Sequence, residues 1–253
     1  MKTLFERVRS VLIWVVVFPV FVAACVVLWA GSFVVRGPAL ERLIKGACRL
    51  ILFCCGIRLS ISGLENFEPG RQYIVMMNHV NFFDPFVVNA GFPGFARGAE
   101  EESHFRWPLY GGMIRRLGVI PINRKDTAKA VSSLKRAAGW IRTRPGYSFI
   151  ILPEGTRTRD GTLGAFKRGG FLLALETGLE ILPLVQVGAD RINRRGSRFV
   201  RPGRIEMTIE RAVPTEGYSK KNIGELVARV REVFLSRLGG PPTTRRASGA
   251  QSP

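Results

Sequence analysis

Histidine is nearly absent from this chain: 253 residues hold two, His79 and His104. Cysteine is scarce and confined, with all four, Cys25, Cys48, Cys54 and Cys55, before residue 56. Two histidines and four cysteines without ligand spacing make no zinc set, so no metal is implied. The cysteines read as small apolar side chains in a reducing setting. Acidic residues are few as well, 19 against 38 lysines and arginines, for a formal net charge of +19. An excess of that size implies an anionic partner, the candidates being nucleic acid, acidic lipid and an acidic carrier protein. Zinc-finger spacing, an RNP-like aromatic strand and basic heptads are all missing, which argues against nucleic acid. No internal repeat is present either. The length suits one catalytic domain plus an attachment segment.

One long apolar run is present. Residues 11–35 carry no charge between Arg9 and Arg36. As a helix they reach roughly 37 Å, more than the ~30 Å hydrocarbon core of a bilayer. Trp14 and Trp29 lie near the ends of the run, where amphipathic rings favour the membrane interface, and Pro19 is expected to kink it. A basic start and Val22-Ala23-Ala24-Cys25 resemble a lipoprotein cleavage box. The run continues to Val35, however, which a membrane helix needs and a cleaved leader does not. A second patch, Leu50 to Ile57, is too short to span and reads as interfacial. Lys2, Arg7 and Arg9 precede the long run, and Arg36, Arg42, Lys45, Arg49 and Arg58 follow it. The positive-inside rule then places the remaining domain on the cytoplasmic side of the cell membrane. A single span and a shallow two-helix hairpin in one leaflet both fit.

From residue 58 onward short apolar runs alternate with helical patterns, the signature of an α/β domain. The strand candidates are Arg58 to Ile61, Gln72 to Met77, Gly118 to Ile122, Tyr147 to Leu152, Ile181 to Val187 and Arg204 to Ile209. A helix is predicted over Thr127 to Arg142, with Asp126 as N-cap and Val131, Leu134, Ala138 and Ile141 on one face. Another covers Asn222 to Leu238, where Ile223, Leu226, Val227, Val230 and Phe234 recur at helical spacing and read as core packing. Three units result: 1–57 for membrane attachment, 58–238 for the catalytic domain and 239–253, a tail without a large apolar anchor, expected to be disordered.

The chemistry concentrates at Asn78-His79-Val80-Asn81-Phe82-Phe83-Asp84-Pro85, directly after the apolar run Tyr73 to Met77. An imidazole near neutral pKa takes a proton from an alcohol, and a carboxylate on its far nitrogen fixes the tautomer and stabilises the imidazolium. No serine or cysteine nucleophile is then needed, because the acceptor alcohol itself attacks. Histidine followed five residues later by aspartate is common by chance, but two further segments stand with it. Gly118-Val119-Ile120-Pro121-Ile122-Asn123-Arg124 lies between, and Phe149-Ile150-Ile151-Leu152 runs into Pro153-Glu154-Gly155-Thr156-Arg157.

With these blocks in order, and with Ile181-Leu182-Pro183-Leu184-Val185-Gln186-Val187 as a late apolar block with proline, residues 58–215 resemble the glycerolipid acyltransferase family. The resemblance is closest to the bacterial 1-acylglycerol-3-phosphate acyltransferases. It implies a single mixed-sheet α/β domain with helices packed around it, preceded by an N-terminal membrane helix or hairpin. It implies an O-acyltransferase in which His79 is the general base and Asp84 orients it. The reaction moves a fatty acyl group from an acyl thioester, acyl-CoA or acyl carrier protein as co-substrate, to the sn-2 hydroxyl of lysophosphatidic acid, giving phosphatidic acid. No other cofactor is implied, and the partners are membrane lipids and these two substrates, not nucleic acid. Arg157 is the first candidate for the acceptor phosphate and Arg124 the next, since a guanidinium fork binds two phosphate oxygens and keeps its charge. Gly155 lets backbone pass close to the ligand, Thr156 adds a hydroxyl, and Glu154 is expected to fix an arginine or a glycerol hydroxyl. Lys167 and Arg168 add to the positive field.

Asn81 departs from the serine many members carry, which bears on acceptor preference. The same chemistry on glycerol 3-phosphate, a lyso-ornithine lipid or another lysophospholipid is the nearest alternative, and a membrane-anchored binding protein without catalysis the remote one. Phe82, Phe83, Phe86, Phe92 and Phe95 cluster around the first block, as groove lining or as core. His104 follows Glu100, Glu101 and Glu102 without a matching motif and reads as a structural or surface residue. Arg191, Arg194, Arg195, Arg198, Arg201 and Arg204 make a basic loop that faces lipid phosphates, an acidic carrier or plain solvent.

Overall fold

In the computed structural model, which describes residues 2–123, 127–158 and 161–239, the apolar runs assemble into one seven-stranded sheet. The strands are β1 (Ile57–Ser62), β2 (Ile74–Met77), β3 (Phe95–Glu101), β4 (Ile120–Ile122), β5 (Tyr147–Ile151), β6 (Ile181–Val187) and β7 (Gly203–Ile209). Their order is β1-β7-β6-β2-β5-β3-β4. All neighbours are parallel except β6 and β7, so the sheet is mixed as expected. Every side chain of β2, Ile74 to Met77, is buried, as a central strand covered on both faces requires. Alternation then sorts those side chains. Val75 and Met77 join a core with the N-terminal helices, whereas Ile74 and Met76 join one with the helices of the other face.

The first face is covered by α1 (Lys2–Val34), α2 (Gly37–Cys54), α3 (Asp84–Gly91) and α4 (Tyr110–Arg116). The second carries α5 (Thr127–Arg142), α6 (Gly169–Thr177) and α8 (Ile223–Leu238). A short α7 (Ala189–Ile192) follows β6. On α5, Ala138 and Ile141 point inward and Leu134 is half-buried, while Lys135 and Arg136 face out. Asp126, the expected N-cap, and residues 240–253 of the expected tail lie outside the described residues, and the side chain of Val131 is not described. On α8, Ile223, Leu226, Val230 and Phe234 are all buried.

Three features lie outside the sequence reading. Strand β3 is absent from the sequence reading because Phe95-Ala96-Arg97-Gly98-Ala99-Glu100-Glu101 holds no β-branched residue; packing between β5 and β4 makes it a strand, as context often overrides propensity. Its Arg97 is buried and ion-paired to Glu41 of α2, with Arg97 Nη1 to Glu41 Oε2 at 2.9 Å. The Tyr147 hydroxyl donates to the same carboxylate at 3.2 Å. Secondly, the boundary drawn at residue 57 separates elements that share one core. Val17, Cys25, Leu28, Ile44, Cys48, Ile51 and Leu52 are buried in the same cluster as Met77, Phe83 and Val87. Thirdly, the patch from Leu50 to Ile57 runs from the last turns of α2 into β1: Ile51, Leu52, Cys55 and Ile57 go into the core, while Leu50 and Phe53 remain exposed.

The long run is a helix of 33 residues that continues through Pro19. It does not stand apart from the domain. Trp14 stacks on Phe82 with ring centroids 5.6 Å apart, Phe21 meets Phe86 edge-on, and the Ser32 carbonyl and hydroxyl both accept from Arg116 at 3.0 Å. The outer face, including Leu4, Phe5, Val11, Leu12, Phe18 and Val26, is bare.

Candidate active site

The site forms at the carboxyl end of β2, where the chain's next strand pairs lie toward one edge and β6 and β7 toward the other; ligands of open α/β sheets bind at such switch points. Beyond Met77 the Asn78 side chain extends the pairing with β6. Its Nδ2 donates to the Gln186 carbonyl at 3.0 Å and its Oδ1 accepts the Gln186 backbone N–H at 2.8 Å. The next residue, His79, is then held at its backbone by the third motif. Its N–H donates to Glu154 Oε1 at 2.7 Å, and its carbonyl accepts from the Thr158 N–H at 2.9 Å.

Five residues on, Asp84 opens α3 and its carboxylate folds back over the turn. Oδ2 accepts from the Val80 N–H at 2.8 Å and the Asn81 N–H at 3.2 Å, and meets His79 Nδ1 at 2.6 Å. A carboxylate at a helix N-terminus also sits well in the helix field. Asp84 is fully buried, and 12% of the His79 side chain is exposed. With Nδ1 engaged by Asp84, Nε2 has no hydrogen-bond partner among the described residues.

Asn81, expected to bear on acceptor choice, is fully buried: its Nδ2 donates to the Ala189 carbonyl at 2.7 Å and its Oδ1 accepts the Phe83 N–H at 2.8 Å. It braces the turn. Glu154 likewise takes other partners than the arginine or hydroxyl expected. It is buried, with Oε1 on the His79 N–H and Oε2 on the Gly164 N–H at 2.8 Å. Burial pushes its carboxyl above the ordinary carboxylate range, while those two backbone donors and His79 pull it back.

Gly155 has φ +68° and lies against the Lys167 side chain, a backbone conformation that favours glycine. Thr156 is exposed and Arg157 half-exposed. The Arg157 carbonyl accepts from Arg195 Nη1 at 2.8 Å, and its guanidinium makes no ion pair among the described residues. Lys167 and Arg168 are exposed nearby in sequence. Arg124 lies outside the described residues. Phe83 and Phe92 are core, Phe82 and Phe86 meet α1, and Phe95 packs on Tyr147. His104 does have a carboxylate partner, Glu100, at 2.7 Å from Nδ1.

Gln186 was missed as a site residue. It is buried, and its Nε2 donates to Asp84 Oδ1 at 2.7 Å and to the Asn78 carbonyl at 2.9 Å. The signal was one amide inside an otherwise apolar, doubly covered strand, since a buried amide needs a partner. Gln186→Leu is expected to lower kcat roughly ten- to hundredfold at unchanged KM, a donor to a charged acceptor being worth about 1.5–3 kcal/mol. Steady-state kinetics beside a melting curve measure it, and full activity in a folded variant would remove Gln186 from the site.

The acyltransferase family model matches residues 58–187. A 1-acyl-sn-glycerol-3-phosphate acyltransferase of Limnanthes douglasii is 31% identical over 201 residues, 79% of this chain and 69% of that protein. The human 1-acyl-sn-glycerol-3-phosphate acyltransferase alpha is 29% identical over 218 residues, 85% of this chain and 76% of that one. Among solved structures, the 1-acyl-sn-glycerophosphate acyltransferase PlsC of Thermotoga maritima superposes with a TM-score of 0.78 at 22% identity, covering 95% of this chain and all of that one, a likeness of fold.

Proposed function

The chain belongs to the acyltransferase family, and on that premise we propose that it moves a fatty acyl group from an acyl thioester to the sn-2 hydroxyl of 1-acylglycerol 3-phosphate, giving phosphatidic acid. The observation that carries this reading is the His79–Asp84 pair, with Nε2 unpartnered among the described residues, in a chain whose curated relatives carry that activity in their names. His79 Nε2 removes the hydroxyl proton as the oxygen attacks the thioester carbonyl. The tetrahedral intermediate collapses with cleavage of the carbon–sulfur bond, and the imidazolium returns the proton to the departing thiolate. Asp84 stabilises the imidazolium between those steps. Acyl-CoA and acyl carrier protein both satisfy this balance as donors.

For the acceptor phosphate we assign Arg157, with Lys167 adding charge and Arg124 as a second ligand. Gly155 and Thr156 shape the turn that presents Arg157. Glu154 acts through the backbone of His79. An Arg157→Gln variant is expected to raise KM for lysophosphatidic acid roughly ten- to hundredfold with little change in kcat, as loss of a charged hydrogen bond implies. Phosphate-free acceptors should show no such change. Equal KM shifts for both acceptor classes would remove Arg157 as a phosphate ligand.

Attachment to the cell membrane is supported by the bare apolar face of α1. Because α1 is packed along the domain from Trp14 to Ser32, a transverse orientation would carry the domain surface packed against it, around Phe82, Phe86 and Tyr110, into hydrocarbon. A hairpin of α1 and α2 lying in one leaflet avoids that. The positive flanks favour the cytoplasmic leaflet.

A further inference from the structure

The loop from Asn193 to Pro202 carries Arg194, Arg195, Arg198 and Arg201, all exposed, and acyl transfer as derived above uses none of their charges. Among the described residues only Arg201 of these four meets a carboxylate, Glu6 of α1 at 3.1 Å. The loop is nevertheless rigidly tied. Asn193 Nδ2 donates to the Ser197 and Phe199 carbonyls at 3.0 and 2.9 Å, and the Arg201 N–H donates to the Ile192 carbonyl at 2.9 Å. Helix α1 fastens it from outside: Trp14 Nε1 donates to the Arg198 carbonyl at 2.8 Å, and the Ser10 hydroxyl accepts from the Val200 N–H at 3.0 Å. Holding like charges together in a fixed loop is unfavourable until an anion arrives.

The surroundings specify the anion. Beside the arginines runs the bare apolar strip of α1, and Phe199 is itself 44% exposed. Ser10, Val11, Trp14, Arg198 and Phe199 line one open hollow whose surface is almost entirely apolar. An acidic protein surface would match the arginines and leave the apolar strip in water. A bilayer supplies phosphate and hydrocarbon side by side, in the order the residues present them.

We propose that this loop is a second, non-catalytic lipid contact, binding the phosphates of anionic phospholipid headgroups in the leaflet on which α1 lies; it rests on the membrane-attachment reading, not on the transfer reaction. Through the Arg195 bond to the Arg157 carbonyl, the same contact holds the phosphate-binding turn at the surface from which the lysolipid enters.

The test is flotation of the full-length protein with vesicles of phosphatidylcholine alone and of an equal mixture with phosphatidylglycerol, comparing wild type with R194Q/R198Q. Both substituted side chains lie outside the transfer machinery, and the backbone bonds of the loop remain. The wild type is expected to prefer the anionic vesicles, and the variant to lose roughly thirtyfold of that preference, about fivefold per arginine. Its binding to phosphatidylcholine and its turnover in detergent micelles are expected to stay as in wild type. An unchanged anionic preference in the variant overturns the proposal. So does an intact vesicle preference accompanied by lost affinity for acyl carrier protein, which would make the loop a carrier dock. Wild type that floats with neither vesicle overturns the attachment reading as well, while activity in micelles would leave the transferase assignment standing.

Discussion

An H79A variant is expected to retain its fold and lose acyl transfer by about 10² to 10⁴ in kcat, with KM for either substrate nearly unchanged. The fold survives because the bonds that hold this position are made by backbone: the His79 N–H on Glu154 and its carbonyl on Thr158. Asp84 loses the imidazole but keeps the Val80 and Asn81 N–H groups and Gln186 Nε2, so its buried charge is not left uncompensated. No second base steps in. The other histidine, His104, is engaged with Glu100 and meets the Trp107 ring at a tilt, and Glu154 has both oxygens on backbone donors. The check is phosphatidic acid formation from long-chain acyl-CoA and lysophosphatidic acid in micelles, with a melting curve on the same sample. A folded variant with near-normal turnover would remove His79 from the mechanism and leave positioning alone as the source of rate.

The sequence made the centre of this fold readable because the centre is extreme. A strand buried on both faces must be apolar throughout, as β2 is, and the polar residues immediately after it then stand out. The spacing from His79 to Asp84 and the Pro153–Arg157 turn are local and short, so the resemblance carried them intact. What stayed hidden was long-range. Gln186 lies 102 positions from the Asp84 it contacts, and nothing but the topology brings the end of β6 beside β2. The same holds for Arg97, whose burial in a strand of poor propensity depends on Glu41 in α2. Glu154 illustrates a third case: its identity was legible and its partners were not, because a carboxylate in a turn before a cluster of cations suggests a salt bridge, while the fold offers it backbone N–H groups instead. The helical hairpin was recognised as apolar from composition, but only packing tells which face is core and which is bare.

Asp84→Asn is expected to cost about 10² to 10⁴ in kcat while leaving substrate binding intact, and the reason can be followed atom by atom. In the wild type every group around the carboxylate is a donor: the Val80 and Asn81 N–H groups, Gln186 Nε2 and the proton on His79 Nδ1. A carboxamide offers one acceptor atom and one NH2 group in the same place. If its oxygen stays toward His79, the imidazole keeps its proton on Nδ1, but the NH2 opposes Gln186 Nε2 and the negative charge that stabilises the imidazolium is gone. Gln186 Oε1, which is buried and has no partner among the described residues, gives the amide a route to accommodate this by flipping, at the loss of its bond to the Asn78 carbonyl. If the NH2 turns toward His79 instead, it donates to Nδ1, the ring proton moves to Nε2, and the atom that should receive the substrate proton already carries one. The two orientations are separable by experiment because histidine is so scarce here. With two imidazoles in the chain, nitrogen NMR of wild type, D84N and a His104 variant assigns each ring. The His79 signal is expected to report an Nδ1–H tautomer in both wild type and D84N, because the Val80 and Asn81 N–H groups donate to whatever atom stands at the Oδ2 position and so keep the carboxamide oxygen toward His79. An Nε2–H tautomer in D84N would instead assign the loss to the wrong tautomer. An unchanged tautomer with kcat still reduced by the expected factor would assign Asp84's contribution to charge, and an unchanged tautomer with full activity would show that the carboxylate is a brace for the turn and nothing more.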